Sequence, residues 1–236
     1  MSKQIEKEYR EFAYVVSHDL NAPLRQIDSF TSLLMEDLGD RASKDQILYR
    51  EMIHKAIHKA QISLEGLLAF SRLNTEEKEF IVVSLPSLFN EVLQELEDKI
   101  IAQEATIKVG ELPQFVQGDY KTLKRAFYEI LDNALKFQPP GQKPIINING
   151  HADKTITVIC IEDNGIGIAE KDQEGIFTIL RRLHTSDEYK GHGIGLSLAK
   201  KIAELHGGYM EVDSIKDKKT KFNFVIKEQR GSNDNE

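Results

Sequence analysis

Residues 119–137 read DYKTLKRAFYEILDNALKF, and the fold is decided there. Leu123, Phe127, Ile130, Ala134 and Phe137 recur at helical spacing, which predicts one amphipathic helix over Asp119–Phe137. Glu129, Asn133 and Lys136 stand at i, i+4 and i+7 and share the face opposite that stripe. A carboxylate, an amide and an ammonium on one line can hold a magnesium ion and the phosphates it bridges. Taken alone, the same trio also describes an ordinary solvated helix face.

Working outward, the apolar run Ile156–Ile161 leads into Asp163-Asn164-Gly165-Ile166-Gly167. Glycines there let backbone approach a ligand or turn with positive φ, and the Asp163 carboxylate could accept a hydrogen bond from an exocyclic amine such as adenine's. The plainer reading is a strand-terminating turn. Gly167 to Gly191 shows few helix or strand signals and carries Arg181, Arg182 and Lys190. A loop that long in a compact domain is functional or disordered. Gly191-His192-Gly193-Ile194-Gly195-Leu196 then opens a helix, where free amides and the positive dipole end suit phosphate. The glycine pattern alone is weak; its place after the other two clusters strengthens it.

Around these, strands are expected at Phe80–Leu85, Thr106–Val109, Gln114–Gln117, Ile145–Asn149, Thr155–Ile161, Tyr209–Ser214 and Lys221–Ile226. Helices are expected at Leu88–Ala102 and Ile194–Leu205. This order implies an α/β sandwich with helices on one sheet face.

The first third differs. Ile5, Tyr9, Phe12, Val16, Leu20, Leu24, Ile27 and Leu34 form one apolar stripe, and Ile53, Ile57, Ala60, Leu64 and Leu67 a second. Gly39 and the polar run 40–45 separate them, so an antiparallel helical hairpin is expected. A hairpin of this size buries too little to stand alone, and pairing as a four-helix bundle predicts a homodimer. His18 points away from the stripe. An exposed imidazole with a pKa near 6.5 is mostly neutral at pH 7 and able to act as a nucleophile, although geometry alone favours a solvated surface histidine. His54 and His58 have a metal-compatible i, i+4 spacing but no evident third ligand, so bundle surface is the expectation.

The chain has 236 residues and a net charge of −7, which argues against a nucleic-acid surface. Its single cysteine, Cys160, excludes an internal disulfide and reads as a buried core thiol. No apolar run is long enough to span a membrane, so direct membrane insertion is not expected and a cytoplasmic location is. The α+β chain is thus expected to divide into a dimerising helical hairpin at 1–74, a linker at 75–79, an α/β sandwich domain at 80–228 and a disordered tail at 229–236.

Together these motifs resemble the sensor histidine kinases, nearest to phytochrome-like members, whose ATP-binding domain is shared with gyrase and heat-shock chaperones. Phe12 to Leu24, containing Ser17-His18-Asp19-Leu20-Asn21-Ala22-Pro23-Leu24, looks like the phosphoacceptor box. Leu131–Phe137 looks like the asparagine box, Asp163–Gly167 and Gly191–Leu196 like the glycine boxes, and Ile176-Phe177 like the phenylalanine box. His206-Gly207-Gly208 is also typical after the last helix.

The resemblance implies that His18 accepts the phosphoryl group of ATP, that Asp19 helps remove its proton, and that Asn133 ligates Mg2+ while Lys136 meets phosphate. It implies that Asp163, with Gly165 and Gly167, binds adenine. Gly191, Gly193, Gly195 and Leu196 would frame the hinge of the lid, with Arg182 in the lid itself. It further implies transfer to an aspartate of a response regulator receiver domain, under control of an upstream sensor domain or partner.

Four positions depart from the pattern. Glu129 stands where an asparagine is common, and is expected either to ligate magnesium or to help proton removal. Ala22 replaces a polar residue and puts phosphatase activity in doubt, His192 replaces Thr or Ser, and Lys219–Phe222 lacks a glycine. Two rival readings follow: a nucleotide-binding pseudokinase or adaptor, and a gyrase-like conformational ATPase, which Glu129 favours.

Overall fold

The computed structural model describes the backbone of residues 3–73, 78–183, 189 and 193–227, with side chains throughout except at 3–18 and 67. The predicted tail and most of the predicted linker lie outside the described residues. The chain forms two compact units, 1–76 and 77–236.

In the first unit, α1 (Lys3–Leu38) and α2 (Lys44–Leu73) flank a short 3-10 turn at Gly39–Arg41. Gly39 has φ +49°, a backbone state that glycine enters without strain, so the helix stops where expected. Across the hairpin, His54 Nδ1 lies 2.8 Å from Asp28 Oδ1. His54 is therefore committed to a carboxylate on α1, and no cluster of three metal-ligating side chains occurs among the described residues. Large apolar side chains remain exposed along both helices, with Phe30 at 68% and Leu34 at 61%. No helix among the described residues is long and apolar enough to cross a membrane.

The second unit runs β1 (Phe80–Ser84), α3 (Leu85–Glu95), α4 (Glu97–Ala102), β2 (Thr106–Val109), β3 (Phe115–Asp119), α5 (Tyr120–Lys136), β4 (Ile145–Ala152), β5 (Ile156–Asp163), α6 (Glu170–Gln173), a 3-10 turn at Gly175–Phe177, α7 (Gly195–Leu205), β6 (Tyr209–Ile215) and β7 (Lys219–Lys227). Five strands form one sheet in the order β2-β4-β5-β7-β6, while β1 and β3 pair as a separate antiparallel ribbon. Among the described strands only β2 and β4 pair parallel, which requires the long crossover through β3 and α5.

α5 begins because the Asp119 side chain accepts from the Thr122 amide at 2.9 Å. It ends at Phe137, just before Pro139-Pro140, which cannot continue a helix. Its apolar face is fully buried, and the rings of Phe89, Phe127 and Phe224 meet at centroid distances of 4.7 and 5.0 Å, locking α3, α5 and β7 together.

Three expectations are corrected. The helix expected at Leu88–Ala102 starts earlier, because Ser84 caps it and Pro86 suits its first turn, and it breaks at Leu96. Leu96 leaves helical geometry (φ −97°, ψ 3°) and is fully buried. The stretch after Gly167 is not a bare loop, since it holds α6 and a 3-10 turn. Cys160 is not a core thiol. Thr157, Ile159, Ile161 and Asp163 point inward from β5, so Cys160 falls on the opposite face, half-buried, with Sγ 3.1 Å from Asn223 Oδ1.

Candidate functional site

The site is built where the C-terminal half of α5 meets the end of β5 and the start of α7. Glu129 is not on a solvated face, for its side chain is only 16% exposed. Its Oε1 accepts from Arg125 Nη2 at 2.6 Å, and its carboxylate lies against Gly195 at the start of α7. Any side chain at position 195 would overlap that carboxylate, so the glycine here provides room rather than flexibility. Burial raises the Glu129 pKa, with the Arg125 charge opposing the shift. One turn on, Asn133 Oδ1 accepts from Lys136 Nζ at 3.1 Å, and that ammonium sits 4.2 Å from the Phe137 ring centroid. Burial lowers the Lys136 pKa.

Asp163, 6% exposed, closes β5. Its Oδ1 accepts from the Gly165 amide at 2.8 Å, and among the described residues its Oδ2 has no hydrogen-bond donor. Burial pushes its pKa from 3.8 up to about 7. The Ile166 amide donates to the Phe137 carbonyl at 3.0 Å, which fastens the glycine turn to the end of α5. Gly165 passes too close to that carbonyl to carry a Cβ. Gly167 has φ +62° and faces the Ile215 carbonyl, so conformation and space both require glycine.

Gly193 (φ +71°) accepts at its carbonyl from the Leu180 amide at 2.8 Å, which ties the segment before α7 back to the stretch carrying Arg181 and Arg182. Tyr189 donates its hydroxyl to the Gln138 carbonyl at 3.0 Å and packs on Phe137. Arg182 donates to the Tyr189 carbonyl at 2.9 Å, and its charge contributes to the lowering of the Lys136 pKa. Leu196 is half-buried in the first turn of α7. Gly191 and the side chain of His18 lie outside the described residues, while Asp19 is exposed on α1 in the other unit.

Glu129, Asn133, Lys136, Asp163, Gly165, Gly167, Arg182, Gly193, Gly195 and Leu196 thus all belong to the second unit. A buried carboxylate with one oxygen unengaged among the described residues at one end, and an ammonium, an amide and a carboxylate beside a helix N-terminus at the other, suit an amine-bearing base with a polyphosphate.

Two regions match family models. Residues 118–230 match the histidine kinase-, DNA gyrase B- and HSP90-like ATPases, and residues 8–76 match the His Kinase A (phospho-acceptor) domain. The chain belongs to the sensor histidine kinases, and carries their catalytic region. Among its relatives, phytochrome-like protein Cph1 of Synechocystis sp. is 32% identical over 218 residues, which is 92% of this chain and 29% of Cph1. Adaptive-response sensory kinase SasA of Synechococcus sp. is 30% identical over 236 residues, 96% of this chain and 61% of SasA. The chain therefore spans less than two thirds of either. A solved structure of histidine kinase ThkA in complex with response regulator protein TrrA shares the fold, with a TM-score of 0.63 and 20% identity over 96% of this chain and 66% of that one.

One residue of this histidine kinase chain escaped the sequence reading. Thr220 pairs across from Asp163 in the β5–β7 register, is 5% exposed, and has its hydroxyl 3.0 Å from Ser214 Oγ. Ser214 Oγ also accepts from the Ile168 amide at 2.8 Å, so Thr220 is wired to the glycine turn. Its signal was present: a polar residue at an inward position of a strand whose other inward residues are Phe222, Phe224 and Ile226.

Proposed function

We propose that the chain is the catalytic part of a homodimeric protein histidine kinase that binds ATP in its second unit and phosphorylates His18. The carrying observation is Asp163: a buried carboxylate whose pKa burial pushes up to about 7, tied by the Gly165 amide to a glycine turn, with an Oδ2 that meets no donor among the described residues. An adenine amine donates to such an oxygen, and the chain's match to an ATPase family supports ATP as the substrate. Asn133 and Glu129 are the oxygen donors fit to hold Mg2+, which when bound would neutralise charge on the phosphates. Lys136 places a cation beside them.

In the proposed reaction an imidazole nitrogen of His18 forms a bond to the γ-phosphorus. The bond from that phosphorus to the β,γ-bridging oxygen breaks, and ADP leaves with the electron pair. The ring proton passes to a carboxylate, Asp19 or Glu129. His18 would then donate the phosphoryl group to an aspartate of a response regulator receiver domain, a partner supported by the ThkA–TrrA complex as a neighbour in fold. The exposed apolar residues of the hairpin, Phe30, Leu34, Tyr49 and Met52 among them, support dimerisation through the first unit.

The test is incubation of the chain with γ-labelled ATP and Mg2+. Label that is acid-labile and alkali-stable is expected on the protein, as a phosphoramidate requires. Steady release of free phosphate with no labelled protein would select the conformational-ATPase reading instead, which the half-buried Glu129 favours. Glu129→Gln is expected to lower the labelling rate about tenfold or more; an unchanged rate would remove Glu129 from the chemistry.

A further inference from the structure

The chain enters the second unit at Lys78–Phe80, and a continuous set of contacts leads from there to both helices of the site. The Glu79 amide donates to Asp119 Oδ2 at 3.1 Å, while Oδ1 of the same carboxylate caps α5 through the Thr122 amide. The Asp119 amide donates to His206 Nε2 at 3.0 Å, just past the end of α7. His206 Nδ1 lies 2.7 Å from the Ile202 carbonyl. A carbonyl only accepts, so the proton is on Nδ1 and the ring is neutral.

The imidazole is 2% exposed, and the Phe80 ring packs on it at a centroid distance of 5.0 Å. A Cβ at Gly118 would come 3.0 Å from the imidazole Cδ2 and 2.5 Å from Leu123 Cδ1, so glycine makes the space the imidazole occupies. α5 carries Glu129, Asn133 and Lys136 in its C-terminal half, and α7 carries Gly195 and Leu196 at its N-terminus. Each helix is thus fastened to Glu79–Phe80 at the end away from its nucleotide-facing groups.

We propose that His206 is a positioning residue that couples the chain segment Glu79–Phe80 to the nucleotide site by holding the start of α5 and the end of α7 together. The proposal rests on the nucleotide reading of the site. Rigid helices clamped at one end carry a displacement there to the other, and any such coupling is reciprocal: what moves the segment changes nucleotide affinity, and nucleotide changes the segment.

Hydrogen exchange on the full chain, with and without ADP and Mg2+, tests this, with ADP binding measured separately by calorimetry. In the wild type, ADP is expected to slow exchange at 79–84 by about fivefold or more. His206→Asn keeps a donor for the Ile202 carbonyl but has no acceptor in reach of the Asp119 amide, and is expected to lose that ADP-dependent difference. His206→Gln brings an amide oxygen to the Nε2 position and is expected to restore it. A merely structural role would speed exchange in both states and leave the ADP-dependent ratio intact.

If His206→Asn does not fold, Asp119→Asn serves, because its Oδ1 still caps α5 while its amide faces the Glu79 amide. The same loss is expected. The proposal is overturned if the wild type binds ADP without protecting 79–84, or if the folded asparagine variant keeps the full difference. A wild type that does not bind ADP at all overturns the nucleotide reading itself, a result calorimetry shows directly.

Discussion

His18→Gln is expected to abolish acid-labile label, a fall of about a thousandfold or more, while nucleotide affinity stays within about twofold of wild type. An amide nitrogen has its lone pair delocalised into the carbonyl and cannot attack phosphorus, whereas a neutral imidazole nitrogen can. Glutamine is a good helix former, so α1, which runs unbroken from Lys3 to Leu38, should persist. Every nucleotide-facing group identified lies in the other unit, so binding and labelling should separate cleanly. The measurement is paired: label retained by the protein after alkali, and ADP affinity by calorimetry. Label at wild-type level in the variant would move the phosphoacceptor elsewhere.

Asp163→Asn is expected to weaken nucleotide binding about a hundredfold. Oδ1 is already engaged by the Gly165 amide, so the new amide group would occupy the Oδ2 position and oppose the ligand's amine, donor against donor. The same group sets two opposed pH dependences. A folded-state pKa of about 7 against an ordinary 3.8 means the ligand-free protein holds this proton over a window in which the unfolded chain has lost it. Ligand-free stability from this group is full below about pH 4 and falls as pH rises to about 7, by at most about 4 kcal/mol.

A donated hydrogen bond favours the ionised form, so affinity for nucleotide should rise with pH through the same window. Asp163→Asn should remove both slopes and leave the ligand-free protein at pH 8 as stable as wild type or more so. Melting curves and calorimetry between pH 5 and 8 check this. Slopes unchanged in the variant would assign them to another group.

What the sequence made legible, and what it did not, follows the range of the forces involved. α5 was readable almost to the residue, because its apolar stripe, its capping aspartate and the prolines beyond it are all local signals. Asp163 and the glycines were readable as types, since close backbone approach and positive φ leave few alternatives. The break at Leu96 was not readable, because it has no proline or glycine and follows from a leucine turned into the core. Cys160 was misplaced because a largely apolar run suggests burial on both faces, while only one face of the strand is packed inward. The half-burial of Glu129 depends on α7 arriving beside it, 66 positions later at Gly195 in a 236-residue chain. No local pattern carries that, and His206 next to the Asp119 amide is invisible to periodicity for the same reason.

The aromatic trio under α5 has a genetic consequence. Phe127 is fully buried between Phe89 and Phe224 on the reverse side of the helix that presents Asn133. Phe127→Ala would leave a void worth about 3–5 kcal/mol, against a total of about 5–15 kcal/mol for a domain. Such a protein should bind nucleotide normally in the cold and lose it on mild warming, its melting temperature lowered by roughly 6–20 °C. Heat-sensitive alleles should therefore gather at these three rings, whereas alleles inactive at every temperature should gather on the helix's other side.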